Sequence, residues 1–127
     1  MKAWIPLVLV CALGTAFQAH ATCVYPNSPA APPDGNTATR DEMIAAKHDF
    51  DRYNSDMNAY LDCLKLEMDA ATPKDPTKLT PDEKKKVDAQ LQILTQKNNS
   101  AVDELQAVVG RFNEQLKIYK AKAAAAK

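Results

Sequence analysis

The chain has 127 residues, with 16 basic and 16 acidic side chains and a formal net charge of zero. This length allows one small domain at most, and the balanced charge provides no bulk attraction to nucleic acid or to an anionic membrane. The chain has three glycines and two histidines. These numbers are low for a glycine-rich phosphate-binding loop or for a nucleophile activated by a histidine base. Composition therefore favours a binding or structural protein over an enzyme.

Residues 1–21 have the features of a cleavable signal peptide. A basic residue precedes an apolar run, and Ala19-His20-Ala21 has the small-x-small form of a cleavage site. Cleavage is expected before Thr22, which would place the protein in the periplasm or outside the cell. A membrane anchor is the alternative, but the run is shorter than the roughly 20 apolar residues of a spanning helix. No transmembrane segment is expected after residue 21.

Residues 22–38 are predicted to form an extended arm, because their four prolines favour polyproline II structure. Pro33-Asp34-Gly35 is typical of a turn. Thr39 and Glu42 have the spacing of a capping box, so a first helix is expected from residue 39. It should end near Ala71, because a proline follows two residues later.

One face of this first helix is apolar, with apolar side chains at steps of three and four. Methionine-rich apolar surfaces can serve as adaptable binding sites. The alternative, which we favour, is that this apolar stripe packs on a second helix and that only its remainder meets a second copy, a partner protein or an unfolded client. The candidate interaction residues are Met43, Phe50, Tyr53, Met57, Tyr60 and Met68.

A second helix is predicted over about residues 80–120, starting at the cap sequence Thr80-Pro81-Asp82-Glu83. Its larger apolar residues also lie on one face. The short loop before it implies an all-α fold over residues 39–120, an antiparallel, coiled-coil-like two-helix hairpin. Residues 121–127 form a basic Ala/Lys tail, interpreted as a fraying helix end or as a weak contact with an anionic surface.

Charge supports the hairpin. Residues 22–71 contain 4 basic and 9 acidic side chains, whereas residues 72–127 contain 11 and 7. The two helices therefore carry opposite net charge and should attract, although single exposed pairs contribute little.

Cys23 and Cys63 are the cysteines that remain after cleavage, and an exported protein meets oxidising conditions. An intramolecular disulfide is expected; an intermolecular bridge, free thiols or lipidation of Cys23 are the alternatives. An arm reversing at Asp34 spans roughly 34 Å, close to the roughly 36 Å that the helix rises from Thr39 to Cys63. Because Cys63 lies opposite the apolar stripe, near Ala45, Ala59 and Leu66, the arm is predicted to cover the back of the first helix.

A cluster of polar residues lies at His48, Asp49 and Asp51. His48 and Asp51 are one turn apart and could share a metal ion or a proton. The simpler interpretation is a solvated helix face. No cofactor and no catalytic residue are predicted.

Several of these features together resemble a family of small exported proteobacterial proteins that has no assigned activity. They are Cys23, the Pro33-Asp34-Gly35 turn, Ala38-Thr39 with Met43, and Tyr60 with Cys63-Leu64. The resemblance covers residues 23–67 and implies a bacterial periplasmic setting. It transfers no catalytic residue.

The sequence as a whole therefore predicts a non-enzymatic periplasmic helical protein. Its expected role is protein–protein interaction, by self-association or with an envelope protein, as a scaffold or a chaperone-like module. The alternative is binding of a small ligand or a metal through His48, Asp49 and Asp51.

Overall fold

The computed structural model describes residues 22–126, so the predicted signal peptide lies outside the described residues. Two α-helices form most of this part, α1 (Arg40–Ala71) and α2 (Pro81–Ala125), and a short 3-10 turn (Pro76–Lys78) connects them. The described part contains no strand, and the all-α prediction is confirmed. Nor is any helix in residues 22–126 long and apolar enough to cross a membrane.

Both helices begin at a threonine capping box. The Thr39 hydroxyl accepts a hydrogen bond from the Glu42 amide, and the Glu42 carboxylate accepts one from the Thr39 amide at 2.8 Å. Thr80 and Glu83 repeat this arrangement at the start of α2. The pKa of each glutamate is lowered, mainly because the threonine amide donates to its carboxylate. Each box pairs amides that a helix start otherwise leaves without partners.

The two helices pack as an antiparallel pair. The Phe50 ring stacks on Phe112 with ring centroids 4.9 Å apart. Further along α1, the Tyr53 hydroxyl donates to Glu104. A later residue on α1 thus contacts an earlier residue on α2. The two helices therefore run in opposite directions. This arrangement is a helical hairpin; its coiled-coil-like character stays a prediction.

The core lies between the helices. Met57 and Ala101 have no exposed surface, and Leu64 is almost fully buried. Burial of a side chain as large as Met57 or Leu64 contributes about 1.5–3 kcal/mol. Ala101 was not expected in the core, because the apolar pattern of α2 is carried by its larger side chains. The members of the buried cluster are Tyr53, Met57, Tyr60, Leu64, Leu94, Ala101 and Val108.

The helix α2 is longer than predicted. It continues through Ala125 rather than ending near residue 120, and Lys122 lies in its last turn. The first part of the basic tail is therefore helical. A lysine near the carboxyl end of a helix is favourable because the helix dipole is negative there.

Candidate functional site

The predicted disulfide is present and joins the arm to α1. Cys23 and Cys63 are bonded, with Cα atoms 5.7 Å apart, within the range that disulfides require. The amide of Cys23 also donates to Oε1 of Glu67, at 3.4 Å. A disulfide of this kind indicates a non-reducing compartment.

A second attachment of the arm is made by Tyr25 to Glu104 of α2, whose carboxylate also accepts from Tyr53 of α1. The Tyr25 hydroxyl donates to Oε2 of Glu104 at 2.7 Å, and the Tyr53 hydroxyl donates to Oε1 at 3.3 Å. The Tyr25 ring meets Tyr60 edge to face, with centroids 5.0 Å apart. Residue 25 is thereby held by both helices.

These contacts shift the ionisation of the groups involved. The pKa of Glu104 is lowered, chiefly because the Tyr25 hydroxyl donates to its carboxylate. The pKa of Tyr25 is raised, first by burial and then by its hydrogen bond to Glu104. Burial is also the main reason that the pKa of Tyr53 is raised. At neutral pH the carboxylate is therefore charged and both phenols are protonated, which is the state that forms the hydrogen bonds.

The third attachment is the turn that follows the prolines. The Asp34 carbonyl accepts from the amides of Thr37 and Ala38, and its side chain accepts from the Asn36 amide. The Gly35 amide donates to the Gln115 side chain at 2.8 Å. The chain therefore reverses where Pro33-Asp34-Gly35 was expected to turn, and the turn rests directly on α2.

The arm runs along the side of α1 that carries Ala45, Ala59 and Cys63, as predicted, but it lies at the junction with α2 rather than behind α1 alone. The arm bonds to α2 through Tyr25 and Gly35 as well as to α1. Leu66, which was expected beneath the arm, is 71% exposed. An arm placed beside the junction of two helices contacts side chains of both, whereas one behind α1 would contact a single helix.

An apolar groove of about 510 Å³ lies between the arm and both helices. We call it the arm groove. Pro29–Pro33 form its arm side, and α1 and α2 contribute Ala45, Ala46, Phe50, Val108 and Phe112. The charged side chains that line it are Glu42, Asp49 and Arg111. Its volume falls in the range of ligand-binding clefts, roughly 300–1,000 Å³.

The candidate interaction residues of α1 do not form an exposed surface. Met43, Tyr53, Met57 and Tyr60 are buried, and Phe50 and Met68 are partly buried and pack against the core. This burial agrees with the interpretation favoured from the sequence, in which the apolar stripe packs within the fold and only a remainder is left for a partner. Most of the apolar stripe packs against the arm and α2. Of the six side chains, Phe50 alone lines the arm groove.

The polar cluster at His48, Asp49 and Asp51 is exposed on α1. Asp51 pairs with Lys47 at 2.6 Å, and Asp49 pairs with Arg52 at 2.9 Å. The two carboxylates are therefore directed to neighbouring cations of the same helix. This arrangement favours the solvated-face interpretation over a shared metal ion.

The residues that could hold a metal are different from those expected. Among residues 22–126, the sulfurs of Cys23 and Cys63 and a carboxylate oxygen of Glu67 lie within 4.8 Å of one another, and in this structure both sulfurs are engaged in the disulfide. Sequence reasoning considered His48, Asp49 and Asp51 for a metal and missed Glu67. The signal was available, because Glu67 follows Cys63 by four residues and positions four apart share a helix face.

Fold and site together define a class, a small all-α protein whose proline-rich arm is disulfide-bonded to a helical hairpin. Comparison with protein-family models, with curated proteins and with solved structures finds no match to the chain. The resemblance to the exported proteobacterial family therefore stays a prediction, and a function has to be argued from the geometry.

Proposed function

We propose that the chain is a non-enzymatic, exported protein of the bacterial periplasm that binds a protein of the envelope or a second copy of itself. The observation that carries this proposal is the arm groove, an apolar cleft of about 510 Å³ next to a covalently held arm. In this role the protein serves as a scaffold or a chaperone-like module.

The walls of the groove are held in place by attachments of the arm and by packing of the helices, which favours binding. The arm is fixed to α1 at Cys63 and to α2 at Gln115, so Pro29–Pro33 cannot leave without breaking one of these attachments. Phe50 and Phe112 form a stacked aromatic pair beside it. A preformed cleft lowers the entropic cost of binding, because its walls need not be ordered by the partner.

The lining suits an apolar side chain or a short extended segment of a partner. Prolines, alanines and two aromatic rings provide the apolar contact surface, and the three charged side chains can orient a polar backbone or side chain. Glu42 is engaged in its helix cap and Asp49 in an ion pair with Arg52. Both carboxylates therefore already have partners within the described part of the chain.

Site-specific photo-crosslinking tests the proposal. A photoreactive amino acid replaces Ala45, which is exposed and lines the groove, and the control carries it at Ala70, which is exposed on the same helix away from the groove. We expect cross-links from position 45 in intact cells, either to a small number of envelope proteins or to a second copy. Equal labelling from both positions, or none from position 45, would contradict the proposal.

A further inference from the structure

The disulfide lies beside a carboxylate that has no ion-pair partner in the described part of the chain. A carboxylate oxygen of Glu67 is within 4.8 Å of both cysteine sulfurs, and all three residues are half-buried. The Cys23 amide donates to the same side chain, which holds it next to the arm. None of the three salt bridges in residues 22–126 involves Glu67.

We infer that Cys23, Cys63 and Glu67 form a binding site for a thiophilic divalent cation such as Zn²⁺ when the disulfide is reduced. Zinc takes thiolate and carboxylate ligands in tetrahedral geometry, and three protein ligands leave the fourth position for water. The inference rests on different residues from the arm groove, so it stands or fails separately from the proposed function.

A dithiol can reduce the disulfide by thiol–disulfide exchange. The sulfur–sulfur bond between Cys23 and Cys63 breaks, the two sulfurs of the dithiol form a bond with each other, and the dithiol's two protons pass to the cysteines. Zinc then binds the two thiolates and the carboxylate. Two protons leave for solvent, because only deprotonated cysteines ligate the metal.

The bound ion takes over the role of the cross-link. Cys23 is on the arm, and both Cys63 and Glu67 are on α1, so an ion held by all three again joins the arm to the helix. In a tetrahedral site with zinc–sulfur distances of about 2.3 Å, the sulfurs stand about 3.8 Å apart. Side-chain rotation at the two cysteines can provide this separation once the bond is broken.

The test is a zinc titration of the mature chain after reduction with a phosphine and anaerobic removal of the reductant. A chromophoric chelator reports affinity by competition, and a pH indicator counts released protons. We expect one Zn²⁺ per chain, about two protons released at a pH where the thiols are protonated, and no such binding by the oxidised chain. A ratio of one zinc to two chains, or no binding after reduction, would overturn the inference.

Substitutions at Glu67 decide whether the carboxylate is a ligand. Glu67→Gln should weaken zinc binding at least about tenfold, whereas Glu67→His, which restores a zinc ligand, should recover it. Asp62→Asn is the matched control, because it removes one exposed carboxylate next to Cys63 that is outside the site, and it should leave affinity unchanged. Equal weakening by Glu67→Gln and Asp62→Asn would refute a role for Glu67 as a ligand. Helical circular dichroism of each reduced variant confirms that the hairpin is intact.

Discussion

Gly35 packs directly against the backbone of α2. A Cβ atom at this position would clash with the Gln115 carbonyl oxygen and would lie 2.8 Å from the Tyr119 nitrogen and 2.9 Å from Ile118 Cβ. Two of these contacts are with helix backbone, which cannot move aside without loss of its own hydrogen bonds. We expect Gly35→Ala to destabilise the protein by about 1–3 kcal/mol, the usual cost of overpacking, measured by urea unfolding.

Gly110 provides the matched control for that substitution. It lies in the interior of α2, is exposed, and has no atom within 4 Å of the position that a Cβ would take. Gly110→Ala should therefore stabilise the protein by about 0.5–1 kcal/mol, because glycine is the poorer helix former. Destabilisation of similar size by both substitutions would show that the packing at Gly35 is not the cause.

Glu104 should make stability depend on pH in the acid range. Its pKa in the folded protein is lowered, so the stability that it contributes is present above the ordinary carboxyl pKa and is lost as pH falls through the lowered value. Between about pH 7 and about pH 3, the wild type should therefore lose more unfolding free energy than Glu104→Gln. Part of the loss remains in that variant, because Glu42 and Glu83 also have lowered pKa values.

The control for this experiment is Glu114→Gln, which removes an exposed carboxylate on the same helix. Its loss of stability with falling pH should match that of the wild type. Should Glu104→Gln and Glu114→Gln behave alike, the hydrogen bonds to Tyr25 and Tyr53 do not contribute measurably. Urea midpoints at the two pH values supply the comparison.

Sequence reasoning could find the residues of this site that a local pattern or the small number of cysteines identifies. The turn at Pro33-Asp34-Gly35 and the pairing of Cys23 with Cys63 follow from residue type and compartment. The hydrogen bond from Tyr25 to Glu104 spans 79 positions in sequence. Neither residue has a pattern that identifies its partner, so this contact required the packed structure.

At the scale of the helices, the two capping boxes stabilise the helix starts although their threonines are exposed to solvent. Thr39→Ala and Thr80→Ala should each cost about 1 kcal/mol, because the first-turn amides lose their side-chain acceptor. Thr95→Ala is the control, since Thr95 is exposed in the interior of α2 and alanine is the better helix former. Thermal unfolding followed by circular dichroism would measure all three, and a loss of stability in Thr95→Ala as large as in the cap variants would contradict this account.

The helix starts were predictable because capping is local, while two other features of the elements were not. The end of α2 was placed too early: its lysines and alanines were treated as a tail, although alanine is the strongest helix former. The contacts of the arm with α2 were missed for a different reason. A helical wheel identifies which face of α1 is apolar, but it does not contain α2, whose side chains hold Tyr25 and Gly35.

For the whole molecule, the disulfide should be the largest single contribution to stability. It joins residues 40 positions apart. Closing a loop of that size lowers the conformational entropy of the unfolded chain, which stabilises the folded state by about 4 kcal/mol in the chain-entropy model. Reduction should lower the unfolding free energy by roughly this amount while the helical signal is kept, because the buried cluster lies between the helices. Urea unfolding with and without reductant, followed by circular dichroism, measures the difference.

The double variant Cys23→Ser with Cys63→Ser is the control for reduction. It should match the reduced wild type in stability, since both lack the same cross-link. A variant as stable as the oxidised protein would mean that Tyr25 and the turn at Gly35 hold the arm without help from the disulfide.

The position of the disulfide also determines how the protein would respond to mechanical load. Cys23 is the second described residue, and Cys63 lies in the last third of α1. Tension applied to the amino-terminal end therefore passes through the sulfur–sulfur bond into α1 at residue 63. The segment of residues 24–62, which includes Pro29–Pro33 and most of α1, lies inside the covalent ring and carries none of that force until the bond breaks. The arm and α1 walls of the arm groove are thus shielded from pulling at the amino terminus, whereas its α2 wall lies outside the ring.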